Sequence, residues 1–191
     1  MVNDPQPWTV LESAYLSRQP WLTLRRDRVR LPTGAMIEDY FVLEYPTWVN
    51  GVAVTPDGRV VLVRQYRNGL GAVHYELPAG VCEPSDPDPL AAARRELLEE
   101  TGYGGGEWTP LMTLSANPGT HANLTHSFLA TGVVPVQKPE SEATEDIRVH
   151  LVSWDDVRKS VLDGGVVQAL HAAPLLNYLL TRSPTAPSSQ V

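Results

Sequence analysis

Apolar positions along the chain switch between two periods, and the switches mark its elements. From Trp21 to Leu31 (WLTLRRDRVRL) and from Met36 to Tyr45 (MIEDYFVLEY), apolar and polar residues alternate around Pro32-Thr33-Gly34-Ala35, which predicts a β-hairpin. Trp48 to Val54 and Arg59 to Tyr66 read as strands joined by Thr55-Pro56-Asp57-Gly58, whose Pro and Gly are placed as in a tight turn. His74 to Leu77, Trp108 to Ser115, Thr125 to Thr131 and Asp146 to Val152 complete the strand-like segments. Helical spacing takes over in three places. Ala91 to Leu98 propagates well behind Asp88 as N-cap and Pro89 in the first turn, and Gly102 ends it. Ser153 with Asp156 resembles a capping box and opens a helix to about Leu162, while Val166 to Leu180 is amphipathic and interrupted or kinked at Pro174. Met1 to Pro20 is polar and proline-bearing, with a short helical turn expected around Leu11 to Leu16. Gly104 to Gly106 reads as a flexible connector, Gln137 to Glu145 as a polar loop, and residues 182–191 as a disordered tail. Strands mixed with one early and two terminal helices predict an α/β sandwich of helices around a mixed sheet.

Composition narrows the functional classes. At 191 residues the chain suits one domain, or one domain with a small N-terminal addition, and 42% apolar residues can build a substantial core. A formal net charge of -7 argues against broad contact with a phosphate backbone, so no nucleic-acid partner is expected. Four arginines, Arg25, Arg26, Arg28 and Arg30, crowd the first hairpin arm; they read as solvated edge-strand charges, with phosphate contact or a subunit interface as the alternative. Cys82 is the only cysteine, which excludes an internal disulfide and points to a reducing, cytoplasmic setting. Residues 1–20 lack an apolar signal core and no apolar run reaches spanning length, so neither secretion nor a membrane partner is expected.

The chemistry concentrates in Leu77 to Tyr103, LPAGVCEPSDPDPLAAARRELLEETGY. Glu96, Glu99 and Glu100 fall at i, i+3 and i+4 and project from one helix face within a single turn. That placement opposes helix stability, because like charges at i,i+4 cost about 0.2–0.5 kcal/mol. Anions in a last turn add about 0.3–1 kcal/mol each against the helix dipole. A hard divalent cation, which takes oxygen ligands from a few carboxylates together with substrate phosphates, accounts for them; an acidic solvated face is the plain alternative.

The segment resembles the signature of the Nudix hydrolases, G-x5-E-x7-R-E-U-x-E-E-x-G-U with U apolar. Gly80 opens it, Asp86 stands where the first Glu is expected, and Arg95, Glu96, Leu97, Glu99, Glu100, Gly102 and Tyr103 fill the second half. Asp replaces Glu, and eight residues instead of seven separate Asp86 from Arg95, the extra one falling in the Pro87-Asp88-Pro89 loop where lengthening is tolerated. The resemblance implies an αβα Nudix sandwich over residues 45–181, preceded by an N-terminal extension and hairpin over residues 1–44.

It also implies an enzyme that hydrolyses the pyrophosphate bond of a nucleoside diphosphate sugar with Mg²⁺ or Mn²⁺. By resemblance the metal ligands are the Ala79 carbonyl, Glu96 and Glu100, with Glu99 as a further ligand, and Arg95 orients the carboxylates. Val63 to Arg67 (VRQYR), Glu76 to Gly80 (ELPAG) and Pro118-Gly119 resemble the ADP-ribose pyrophosphatases, which implies ADP-ribose giving AMP and ribose 5-phosphate. Arg67 would then hold the diphosphate through its planar fork, and Glu76 would be a substrate-side or a buried, paired carboxylate. By the same resemblance the base for the attacking water would be a Glu on the loop before the last strand, Glu145 first and Glu142 second. Trp48, Trp21 and Tyr40 are candidates for an adenine face, with core or interface as the plain alternative for each, and His121 would reach substrate from the Pro118 loop. Cys82 lacks the partners of a nucleophile. GDP-mannose, NADH, dinucleoside polyphosphates and oxidised nucleotides stay open as substrates, although the SQPWPFPxS-type run of NADH pyrophosphatases is missing. A Nudix-fold ligand sensor without turnover is the non-enzymatic alternative, and the resemblance further implies a homodimer built through the N-terminal hairpin.

Overall fold

A computed structural model describes residues 4–140 and 146–181. The chain divides into two compact units, Met1–Pro46 with Ser115–Asn123, and Thr47–Leu114 with Leu124–Val191. In the first, β1 (Thr9–Gln19), β2 (Leu22–Arg30) and β3 (Met36–Glu44) form an antiparallel sheet in sequence order. The expected hairpin is β2 and β3; its turn closes through Leu31 N–H to Ala35 O at 2.9 Å, with Gly34 at φ 89°. The helical turn expected at Leu11 to Leu16 is not formed. That segment lies inside β1, paired from Thr9 opposite Arg30 to Gln19 opposite Leu22, because a short helix without a partner face cannot compete with a continuous ladder.

Placing β1 makes β2 a central strand, not an edge, and Arg25, Arg26 and Arg28 meet carboxylates. Arg26 pairs with Asp39 at 3.4 Å and Arg28 with Glu38 at 3.8 Å, while Arg25 binds Asp27 at 2.9 Å and also Glu44. Burial alone would raise the carboxyl of Asp27, but hydrogen bonds from Arg25 and Ser13 outweigh it and hold that group below the usual range.

The second unit holds a seven-stranded mixed sheet. Its strands are β4 (Trp48–Val54), β5 (Val60–Arg67), β6 (Ala72–Glu76), β7 (Ala79–Val81), β9 (Glu107–Leu114), β10 (Thr125–Thr131) and β12 (Arg148–Val152). The order is β12-β5-β4-β10-β9, with β6 on β5 and β7 on β4; β10 runs parallel to β4 and the other pairs are antiparallel. Tyr103–Gly104 (β8) pairs with Val134–Pro135 (β11), so part of the expected glycine connector is a strand.

Strand alternation sends side chains to two cores. Val49, Ala53, Val61, Phe128 and Ala130 meet the helix α1 (Pro89–Thr101) through Ala92, Ala93 and Leu97. Val52, Val54, Val60, Leu62 and Leu129 meet α2 (Trp154–Leu162) and α3 (Ala169–Thr181) through Val157 and Leu175. The unit is therefore the expected helix–sheet–helix sandwich. Among the described residues no helix is long and apolar enough to cross a membrane.

Caps act where the sequence placed them: Asp88 accepts from Ala91 N–H at 2.8 Å, and the Ser153 hydroxyl accepts from Asp156 N–H at 3.2 Å. Pro174 sits inside α3 and cannot donate to the Leu170 carbonyl four residues back. Buried Asn50 of β4 donates to that carbonyl instead, at 2.9 Å, so the sheet supplies the bond the proline removes. Residues 182–191, expected to form a tail, lie outside the described residues.

Candidate functional site

The site is assembled where α1 crosses β7. Gly102 adopts φ 73° and returns its N–H to Leu98 O at 2.8 Å, ending α1 directly after its acidic turn. A Cβ there would meet Gln137 O at 2.3 Å, so glycine is needed both for its conformation and for its lack of bulk. Glycine is also required at Gly80. A Cβ on that residue would lie 2.1 Å from Glu96 Oε1, so the Glu96 carboxylate occupies the space that any other residue would fill. Glu100, buried at 8% exposure, accepts from Ala79 N–H at 3.1 Å. Two carboxylates one turn apart are thus held against the backbone of Ala79 and Gly80.

Arg95 ties the arrangement together. It donates to Glu96 Oε1 and Glu99 Oε2, both at 2.9 Å, to the Val81 carbonyl at 2.9 Å, and through Nε and a terminal nitrogen to both oxygens of Asp86 at 3.2 and 3.0 Å. The Asp86 bonds, above all, hold the guanidinium's proton more firmly than usual in spite of burial; reciprocally, Arg95 holds the Asp86 carboxyl below its ordinary range. Despite the one-residue insertion, Asp86 therefore reaches Arg95. It also accepts from Glu83 N–H at 2.8 Å, which fixes the loop between β7 and α1.

Among the described residues no three His, Cys, Asp or Glu side chains converge as a ready metal-ligand group. Glu99 turns to Arg95, while Glu96 and Glu100 lie along β7. The donor set still fits a hard divalent cation, since every group is an oxygen and the pocket left by the absent Gly80 side chain already admits a carboxylate.

Arg67 and Glu76 form a bidentate pair, Nε to Oε1 at 2.8 Å and a terminal nitrogen to Oε2 at 2.5 Å. Glu76 is 3% exposed, so it is the buried, paired carboxylate that was one of its two sequence readings. Trp48 begins β4, half-buried opposite Val81 and Thr125. Pro118, Gly119 and His121 belong to the other unit. There the Asn117–Thr120 turn docks on β3 through Leu43 N–H to Thr120 O at 2.7 Å, Tyr40 donates to Gly119 O at 2.5 Å, and His121 stacks on Tyr45 at 5.5 Å. Glu142 and Glu145 lie outside the described residues; the chain leading to them is anchored to the end of α1 by Glu140 N–H to Glu99 O at 2.8 Å. The Cys82 thiol is raised by burial and by Asp86, in line with its exclusion as a nucleophile.

His171 was missed. Completely buried in α3, it accepts Leu77 N–H at 2.9 Å on Nδ1, and burial lowers it to about 4, so the ring is neutral. It anchors the backbone two residues before Ala79, and nothing in the linear order of the residues signals that contact.

Comparison with known proteins bears on this geometry. Residues 8–43 match a family model described as the nucleoside diphosphate sugar hydrolase N-terminal domain, and residues 45–170 match the NUDIX domain. The chain is similar to an ADP-ribose pyrophosphatase of Mycobacterium tuberculosis, 34% identical over 80% of this chain and 74% of that one. It is likewise similar to an ADP-ribose pyrophosphatase of Bacillus subtilis, 34% identical over 79% and 80% of the two chains. A crystal structure of an ADP compounds hydrolase superposes with a TM-score of 0.81 at 22% identity, covering 93% of this chain and 95% of that one.

Proposed function

Because the chain belongs to the Nudix family and is a pyrophosphohydrolase, we propose that it cleaves nucleoside diphosphate sugars, with ADP-ribose giving AMP and ribose 5-phosphate. The observation that carries this reading is the seating of Glu96 against Gly80 and of Glu100 on Ala79 N–H. Mg²⁺, or Mn²⁺ in its place, would be held by the Ala79 carbonyl, Glu96 and Glu100, with Glu99 as a further ligand. Bound there, such an ion neutralises charge on the phosphate oxygens.

The remaining work falls to the protein. Arg95 keeps Glu96 and Glu99 oriented, while Asp86 and the Val81 carbonyl keep Arg95 in place. Water adds to one phosphorus, the bridging oxygen leaves with the other phosphoryl group, and Glu145, or Glu142, takes the water's proton. Arg67, anchored by Glu76, supplies the positive charge that grips the diphosphate. Pro118 and Gly119 enter this reading by resemblance, Trp48 as an aromatic face for adenine, and His121 as a side chain on the Pro118 loop. The β1–β3 sheet leaves Leu22 and Phe41 exposed, as its β1–β2 turn leaves Trp21, which supports a homodimer in which a second copy covers them.

The test is a panel of ADP-ribose, GDP-mannose, NADH and diadenosine polyphosphates with Mg²⁺, the products identified by mass. AMP and ribose 5-phosphate formed fastest from ADP-ribose is the expected result. Preference for GDP-mannose would overturn the substrate and leave the chemistry standing. Glu100→Gln should lower kcat by about 10³-fold or more with an unchanged circular dichroism spectrum.

A further inference from the structure

The sheet face turned toward α2 and α3 carries cations that the proposed reaction does not use. Arg64 of β5 and Arg148 of β12 stand directly opposite each other in the antiparallel register, and like charges so placed repel. Tyr75 of β6 is the next partner in that row, and the Arg64 guanidinium lies over its ring at 5.1 Å. His150 meets the same ring edge-on at 5.5 Å.

Arg64 Nε is buried and has no hydrogen-bond acceptor among the described residues, an unmet need that is costly for a charged group. Nor is Arg64 in any ion pair among those residues, in a chain whose net charge is -7. Among the described residues Arg148 pairs with Asp146 alone, at 3.1 Å, and both side chains are mostly exposed, so that pair contributes little. Arg64, Arg148 and His150, with Asp146 beside them, line a groove of about 370 Å³ that also takes in Tyr66, 55% exposed.

We propose that this groove, walled by Arg64, Arg148 and His150, binds a phosphate group, either free or as part of a phosphate monoester. One tetrahedral dianion offers enough acceptors to satisfy two guanidinium forks at once and relieves their mutual repulsion. A carboxylate offers fewer, and the exposed Tyr66 ring gives a base or sugar attached to the phosphate an apolar surface. The site lies on the opposite face of the sheet from α1 and does not depend on how the acidic turn is read.

The test is a ¹H–¹⁵N titration of the full chain that includes the arginine Nε–H signals, with inorganic phosphate, at constant ionic strength and without divalent cations. A saturable shift of the Arg64 Nε–H signal is expected. Arg148→Gln should raise the phosphate Kd at least tenfold and Arg64→Gln should remove binding here, each variant checked for its fold by circular dichroism. AMP and ribose 5-phosphate run in parallel distinguish the sources. AMP at least tenfold tighter than phosphate, with the gain lost in Tyr66→Ala, identifies a nucleotide; equal affinities identify free phosphate. Shifts confined to the surroundings of Gly80, no saturable shift, or an unchanged Kd in both arginine variants overturns the proposal.

Discussion

At the scale of single residues, the candidate site depends on one missing side chain and one guanidinium. Gly80→Ala would drive a methyl group into the Glu96 carboxylate, 2.1 Å away, and displacing it by about 1 Å should cost about 10²-fold in kcat. Thermal unfolding measured alongside should change little, since Gly80 lies in a short strand. Arg95→Lys keeps the charge but loses the fork that spans Asp86, Glu96 and Glu99. The apparent affinity for the activating cation should fall about 10–100-fold, read from kcat/KM against Mg²⁺ concentration, and Asp86→Asn should reproduce part of that loss. Arg95, Glu96 and Glu99 lie within about one helical turn, while Gly80 and Asp86 reach them from β7 and the loop that follows it; the motif announced all five because it fixes residue types over that whole span.

Elements bring in residues that no local pattern marks. The N-cap of α1 was legible, because Asp88 ahead of Pro89 is a local signal, and Asp88→Ala should cost about 1 kcal/mol. That corresponds to about 2–4 °C in Tm for a chain of this size. His171 acts across elements. Burial keeps it neutral down to about pH 4, whereas the unfolded chain takes up a proton near its ordinary value of 6.5. Between those values the unfolded state binds more protons, so stability is full above pH 6.5, falls as pH drops toward 4, and loses about 3 kcal/mol from this group. Urea unfolding of the parent and of His171→Gln over pH 4–7 should show that fall in the parent alone. A parallel decline in both would refute the assignment.

At the scale of the whole molecule, chelation should abolish turnover and either Mg²⁺ or Mn²⁺ should restore it, measured by product release. If the proposed homodimer forms, Trp21→Asp, in the exposed β1–β2 turn, should move sedimentation toward the monomer. The sequence by itself determined what depends on neighbours in the chain: the caps of α1 and α2, the turns at Gly34 and Gly58, the strand periods, and the acidic turn with its glycine stop. Those features rest on local backbone preferences and side-chain spacing, which need no partner to be recognised. Tertiary structure alone decided that Leu11 to Leu16 extends as strand, because ladder pairing with β2 outweighs a weak local helix. It decided also that Glu76 is engaged by Arg67, that Leu77 is held by a histidine 94 positions away, and that Asn50 replaces the bond lost to Pro174 across 120. Buried polar groups take whichever partner the packed sheet brings within reach, and that choice exists only once the layers have closed.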